Sequence, residues 1–242
     1  TNGPAFIQLK GLAVGAGGGS CGQAHILDAI AKTWSRYGDI APNNVNAPWI
    51  VVAKDTLRQK FMAFPNDAGT AFAELDYAQV SPTWTARTQG ARIGNWGGSS
   101  TACGVYDPVG DLYLAGTQKG SGSNLCALDA TDPEGGWVEL TFTGSGPTDM
   151  FGAGILHRAS ADQFLIVNAA SGVPNSVYTL TRPASLPFSN PWVWGTRSFS
   201  GTSRYSNSAG AWASYERFRY VDALDSLIVC PDRGYPMECW KM

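Results

Sequence analysis

The sequence is short of charge and shorter still of histidine. Charged residues fill 15% of its 242 positions, and the formal net charge is −2. Lysine and arginine form no run, so the clustered cations that a phosphate backbone demands are missing and no nucleic-acid partner is expected. No apolar stretch reaches the ~18 residues of a spanning helix, so no membrane span is expected. Histidine occurs only as His25 and His157, which excludes a histidine-rich metal site. Both stand in strand-like contexts and read as structural side chains, so no metal and no cofactor are expected. The five cysteines, Cys21, Cys103, Cys126, Cys230 and Cys239, show no Cys-x-x-Cys spacing, which argues against a zinc ribbon. Their odd number leaves at least one unpaired in a monomer. Cys230 and Cys239 flank a hairpin-like turn at 231–236 and are the candidate disulfide; buried unpaired thiols are the plainer reading.

Several motifs are missing as well. There is no Gly-x-Ser-x-Gly elbow for a nucleophilic serine. The glycine-rich segment 15–20 lacks the Gly-Lys-Ser/Thr ending of a phosphate loop and reads as a strand connection. No Asn-x-Ser/Thr acceptor occurs, which weighs against a eukaryotic secretory origin. The opening TNGPAFIQLK lacks the charged-then-apolar pattern of a signal peptide. Either prior removal of such a peptide or loss of an initiator Met before the small Thr1 would leave it.

What the sequence does hold is turn formers and apolar residues. Glycine numbers 29, proline 14, and 44% of positions are hydrophobic, as many short strands joined by turns require. No long stretch keeps apolar residues at i, i+3, i+4, i+7; the best helical candidate, 25–32, competes with a strand reading. Residues 103–138 set the pattern: a run ending in Tyr106-Asp107-Pro108, a second run over 111–115, a third ending in Leu128-Asp129, and a fourth starting at Trp137. The first turn of this unit recurs at 54–61, 106–113, 157–164 and 221–228, each time with polar turn formers between apolar runs. An aspartate there can accept backbone N–H bonds and fix the reversal. The third and fourth runs recur too, with a tryptophan opening or nearly opening the fourth: Trp34, Trp84, Trp137 and Trp192.

Units of about 50 residues with four strands each fit the blades of a β-propeller. The expected fold is all-β: a five-bladed propeller in a single domain, with blades near 10–40, 41–90, 91–143, 144–200, and 201–242 joined by 4–9. The N-terminal strand is expected to pair with the C-terminal segment and so close the ring. The repeated tryptophans read as packing between blades, because one blade cannot cover its own apolar faces.

The unit YDPVGDLYLAG…LCALDAT…GGWVEL resembles kelch-like repeats of the galactose-oxidase-type propellers, and the ending YERFRYVDALDSLIVCPD…MECWKM resembles the last blade of short bacterial and bacteriophage kelch-like propellers. The resemblance implies a propeller fold and, for the phage members, a virion setting. It does not extend to a copper site, which needs two histidines beside a Tyr–Cys pair.

Two sets of candidate site residues follow. Ligand binding is expected at the connections between blades, 38–48, 88–101, 144–154 and 196–213, and at the residues flanking them. The residues expected to bind are Trp49, Arg92, Asn95, Trp96 and Trp212, with Tyr215 and Arg219 on the adjoining inner strand. Aromatic faces beside amide and guanidinium donors suit a sugar, whose apolar face stacks on a ring while polar groups read its hydroxyls. The same residue types also build protein interfaces. Catalysis is not expected. Were there any, the acid would be Glu216, one of only five glutamates, or Asp149, in a glycoside hydrolase or lyase. Mutual neutralisation of Glu216 and a neighbouring arginine is the simpler reading. The expected function is thus a binding or structural module, virion-borne or extracellular, that meets a glycan or other virion or cell-surface subunits. The alternative is a polysaccharide-processing enzyme.

Overall fold

The computed structural model describes residues 6–11, 22–28, 33–39, 50–65, 71–79, 82–88, 102–118, 123–147, 153–167, 176–184, 190–200, 218–229 and 238–242. Among these residues the chain is all-β apart from two short 3-10 turns. Five antiparallel sheets follow one another in chain order. The first holds β1 (Phe6–Gly11), β2 (Gly22–Asp28) and β3 (Thr33–Asp39). The second holds β4 (Ile50–Asp55), β5 (Lys60–Pro65), β6 (Ala71–Asp76) and β7 (Trp84–Thr88). The third holds β8 (Ala102–Asp107), β9 (Leu112–Gln118), β10 (Ser123–Asp129) and β11 (Val138–Glu139). In the fourth, β13 (Gly154–Arg158), β14 (Gln163–Val167), β15 (Ser176–Thr181) and β16 (Trp192–Ser198) run as a meander. The short β12 (Phe142–Thr143) joins its outer edge in parallel with β16. The fifth holds β17 (Phe218–Val221), β18 (Ser226–Val229) and β19 (Glu238–Lys241).

The recurring turn of the sequence is real and has one geometry. In sheets two to five the first two strands are joined through a residue in the left-handed region: Gln59 (φ 55°), Asp111 (φ 50°), Asp162 (φ 45°) and Asp225 (φ 45°). Aspartate tolerates that conformation better than most side chains, which explains its choice at three of the four positions. Two of these turns tighten into 3-10 geometry, at Ala159–Ala161 and Asp222–Leu224.

Sheets meet along their first strands, β4 against β8, β8 against β13, and β13 against β17. Three cores fill the seams. Phe64, Phe72, Met62 and Ala53 of the second sheet pack with Tyr106, Tyr113, Leu128 and Trp137 of the third. Leu112, Leu114 and Leu125 of the third pack with Phe164, Ile166, Trp192 and Trp194 of the fourth. Leu165, Val167 and Phe199 pack with Leu227 and Trp240 of the fifth. The tryptophans Trp137, Trp192, Trp194 and Trp240 are therefore packing residues between sheets, as the repeat implied. Phe199 and Trp240 lie face to face, centroids 4.2 Å apart and planes 3° from parallel.

Two expectations are corrected. Among the described residues the N-terminal strand is not beside the C-terminal sheet: Phe6–Gly11 pairs along its length with Gly22–Asp28, and β18 is the one described strand beside β19. Closing the short loop to β2 costs less chain entropy than reaching the far end of the sequence. The outer side of β19 is met at Lys241 by Ser200, which follows β16. The ambiguous segment 25–32 begins as strand, since β2 runs through Asp28 with β1 and β3 on its two sides. The candidate disulfide is not formed: Cys239 is an exposed free thiol, while Cys230 lies outside the described residues.

Candidate functional site

At the hairpin end of sheets two to five, charged and hydroxyl side chains form a belt that passes from each turn to the next. It is built on one spacing. Five residues before the left-handed position stands a group that reaches the turn carboxylate: the Tyr106 hydroxyl donates to Asp111 Oδ1 at 2.8 Å, His157 Nε2 lies 3.3 Å from Asp162 Oδ1, and the Tyr220 hydroxyl donates to Asp225 Oδ1. The hairpin register fixes this: residue i pairs with i+7 across the ladder, which leaves the turn residue i+5 two places short of it and within side-chain reach.

Between turns the belt is ionic. Arg58 donates through Nη1 to Asp55 (2.9 Å) and Asp111 (2.8 Å) and through Nη2 to Asp111 (2.7 Å), bridging sheets two and three. Asp55, wholly buried, also accepts from the Arg58 backbone N–H and from the Tyr113 hydroxyl, each at 2.8 Å. At the next seam the buried Asp107 faces His157 at 3.3 Å and Arg182 Nε at 3.2 Å, both from sheet four or its end. Arg182 also holds Asp162 at 2.5 Å. At the last seam Arg158 and Arg197 of the fourth sheet hold Asp225 of the fifth, each at 3.0 Å.

These contacts set the ionisation of the belt. The Arg58 hydrogen bond holds the Asp111 carboxyl below its ordinary range. The Tyr220 hydrogen bond, aided by Arg197 and Arg158, does the same for Asp225. Burial, and then the neighbouring Asp55 charge, push the Tyr113 hydroxyl up; burial and Asp111 do so for Tyr106. In the second sheet burial pushes Glu74 up, but its bonds from Arg87 and Lys60 outweigh that and leave the carboxyl lowered. Asp111, Asp225 and Glu74 are therefore carboxylates held ionised and answered by cations, an arrangement suited to holding strands and sheets together.

Among the described residues, one group of three metal-ligating side chains converges, Asp107, His157 and Asp162, with donor atoms within 4.8 Å of one another. Gly110 makes that closeness possible, since a Cβ there would stand 2.7 Å from Asp107 Oδ2 and 3.1 Å from Arg182 Nε. Nothing in the composition pointed to this cluster. The five-residue spacing of His157 and Asp162, matched by Tyr106–Asp111 and Tyr220–Asp225, is the signal that could have found it.

Of the residues expected to act, Trp49, Arg92, Asn95, Trp96, Asp149, Trp212, Tyr215 and Glu216 lie outside the described residues. Arg219 is exposed on β17, opposite Ile228 of β18.

No family model matches the chain, and no curated protein matches it. Among solved structures it is similar to TolB from Acinetobacter baumannii, with TM-score 0.51 and 11% identity over 90% of this chain and 45% of that one. A putative 6-phosphogluconolactonase from Bacteroides uniformis aligns with TM-score 0.47 and 8% identity over 93% of this chain and 65% of that one. The chain thus spans less than two thirds of either protein's length. At this identity the likeness to TolB speaks to fold alone: the chain is β-rich and propeller-like.

Proposed function

We propose that the protein is a non-catalytic propeller module whose five sheets stand as successive blades about a common axis, and that it binds a glycan through the end opposite the ionic belt. The observation that carries this reading is the consumption of the hairpin-end carboxylates by arginine, tyrosine and histidine. With that end committed to cohesion, recognition falls to the connections that enter strands such as β8 at the end remote from its turn. In sequence those connections, with their flanks, hold Trp49, Arg92, Asn95, Trp96 and Trp212, the residue types that read sugar faces and hydroxyls. Arg219 on β17, and Tyr215 four residues before it in sequence, extend the set. The setting that suits such a module is a virion surface or tail, or a secreted bacterial protein of the kelch-like kind.

A glycan array probed with the intact protein tests the reading. Binding is expected, and Trp96→Ala and Trp212→Ala are expected to weaken it at least about tenfold while the melting temperature holds. Polysaccharide cleavage by the wild type, abolished in Glu216→Gln or Asp149→Asn, would replace this reading with a hydrolase or lyase. An array without binding, together with capture of a virion or cell-surface subunit, would replace the glycan with a protein ligand.

A further inference from the structure

We propose that Asp107, His157 and Asp162 form a site for a single divalent metal ion, zinc by preference, at the junction of the third and fourth sheets. The argument starts from an unsatisfied geometry. Asp107 Oδ1 and Asp162 Oδ1 each lie 3.3 Å from His157 Nε2, and only the Asp162 contact has hydrogen-bond alignment. One imidazole nitrogen carries at most one proton, so it cannot serve both carboxylates. A distance of 3.3 Å is long for a charge-assisted bond. It is, however, the spacing of two ligand atoms on a tetrahedral ion whose bonds are about 2.0–2.1 Å long, for which the edge is ~3.3–3.4 Å.

The rest of the cluster fits the same description. The second oxygens of both carboxylates turn the other way, toward Arg182: Asp107 Oδ2 to Nε at 3.2 Å and Asp162 Oδ2 to Nη2 at 2.5 Å. The guanidinium thus orients the pair from behind and leaves the two Oδ1 atoms beside the imidazole, as outer partners of metal-ligating carboxylates do. The Val109 backbone N–H, 2.8 Å from Asp107 Oδ1, pins that oxygen further and leaves it a lone pair. A second observation concerns the same residue: Asp107 is fully buried, and its Oδ2 stands 3.2 Å from Arg182 Nε without hydrogen-bond alignment, so the guanidinium answers it by charge alone. A fully buried carboxylate held this loosely on one oxygen leaves the other, Oδ1, able to take a cation. The Asp162 side chain, 42% exposed, gives the ion an entry path and a water its fourth position. One imidazole with two carboxylates favours zinc over magnesium or calcium, which take oxygen alone.

The test is titration of zinc into the metal-stripped full chain by calorimetry, repeated with cobalt for its visible spectrum. The expected result is one equivalent bound, a rise in melting temperature, and d–d bands of a four- or five-coordinate ion without thiolate charge-transfer bands. Asp162→Asn, which keeps a side chain that tolerates the left-handed turn, is expected to weaken binding at least about tenfold. Asp225→Asn, at the matching turn where Tyr220 replaces histidine, is expected to leave it unchanged. The proposal is overturned by absence of binding at millimolar zinc, in which case Arg182 and a charged imidazole suffice for the two carboxylates. It is overturned equally by binding that survives Asp162→Asn, or by thiolate bands that place the ion on cysteine.

Discussion

The seam between sheets two and three and the seam between sheets three and four are built on the same turn, yet they treat their buried carboxylate differently. Asp55 receives a guanidinium, a backbone N–H and a tyrosine hydroxyl, so both of its oxygens are met. Asp107, equally buried, has one oxygen without an aligned donor and shares its histidine and arginine with Asp162. Identical backbone geometry therefore permits a fully satisfied clamp at one seam and a cluster with spare ligand capacity at the next. The side chain two residues after the turn aspartate makes the difference: Tyr113, after Asp111, donates to Asp55, whereas its counterpart Phe164, after Asp162, has no hydroxyl to give Asp107.

The largest effect should come from emptying the satisfied clamp. Asp55→Ala leaves the buried Tyr113 hydroxyl and the Arg58 backbone N–H without their acceptor, although the Arg58 guanidinium keeps Asp111, and is expected to cost about 3 kcal/mol in urea denaturation. Asp107→Ala should cost visibly less, because His157 and Arg182 both retain Asp162. Equal losses would show that the two seams do not differ in this way.

A smaller effect is expected from acid. The folded-state pKa of Asp111 is depressed, by Arg58 first. Its contribution is therefore complete above the unfolded-chain value near ~4 and is lost as pH falls through the folded value. Asp111→Asn should thus be less stable than wild type at neutral pH, and the two should draw together as pH drops below about 4. A gap that stays constant to low pH would remove Asp111 from the belt's ionic account.

The smallest effect belongs to the last seam. Arg197→Gln removes one of two arginines on the partly exposed Asp225, and Arg158 remains. The expected change is the smallest of the set and shrinks further in high salt.

Much of this architecture was legible because it is local. Every turn read at 54–61, 106–113, 157–164 and 221–228 is a hairpin turn, since polar turn formers between alternating runs leave the backbone few choices. Trp137 and Trp192 were legible as packing residues between sheets from their recurrence, whereas Trp84 of the same series packs on Phe61 and Leu75 of its own sheet. The partner of β1 was not legible: alternation says which side chains share a face, but it does not name the neighbouring strand. The turn aspartates were read only in part. Asp55 and Asp107 do accept backbone N–H bonds, but Asp111 and Asp225 take arginines from a neighbouring sheet and Asp162 takes one from the end of a strand in its own, contacts spanning 20 to 67 residues of sequence. His157 reads in the sequence as a structural side chain, and the two carboxylates converging on it could not be foreseen from a composition with only two histidines.

The stacked pair of Phe199 and Trp240 joins residues that the order of the sheets would keep apart, one trailing the fourth sheet and one closing the fifth. Damage at position 240 is for that reason not confined to its own unit: trimming the chain back past it bares a ring in the unit before. Where repeats of this kind are cut or fused for engineering, the safe boundary here lies beyond Met242, whose backbone N–H still donates to Asp225.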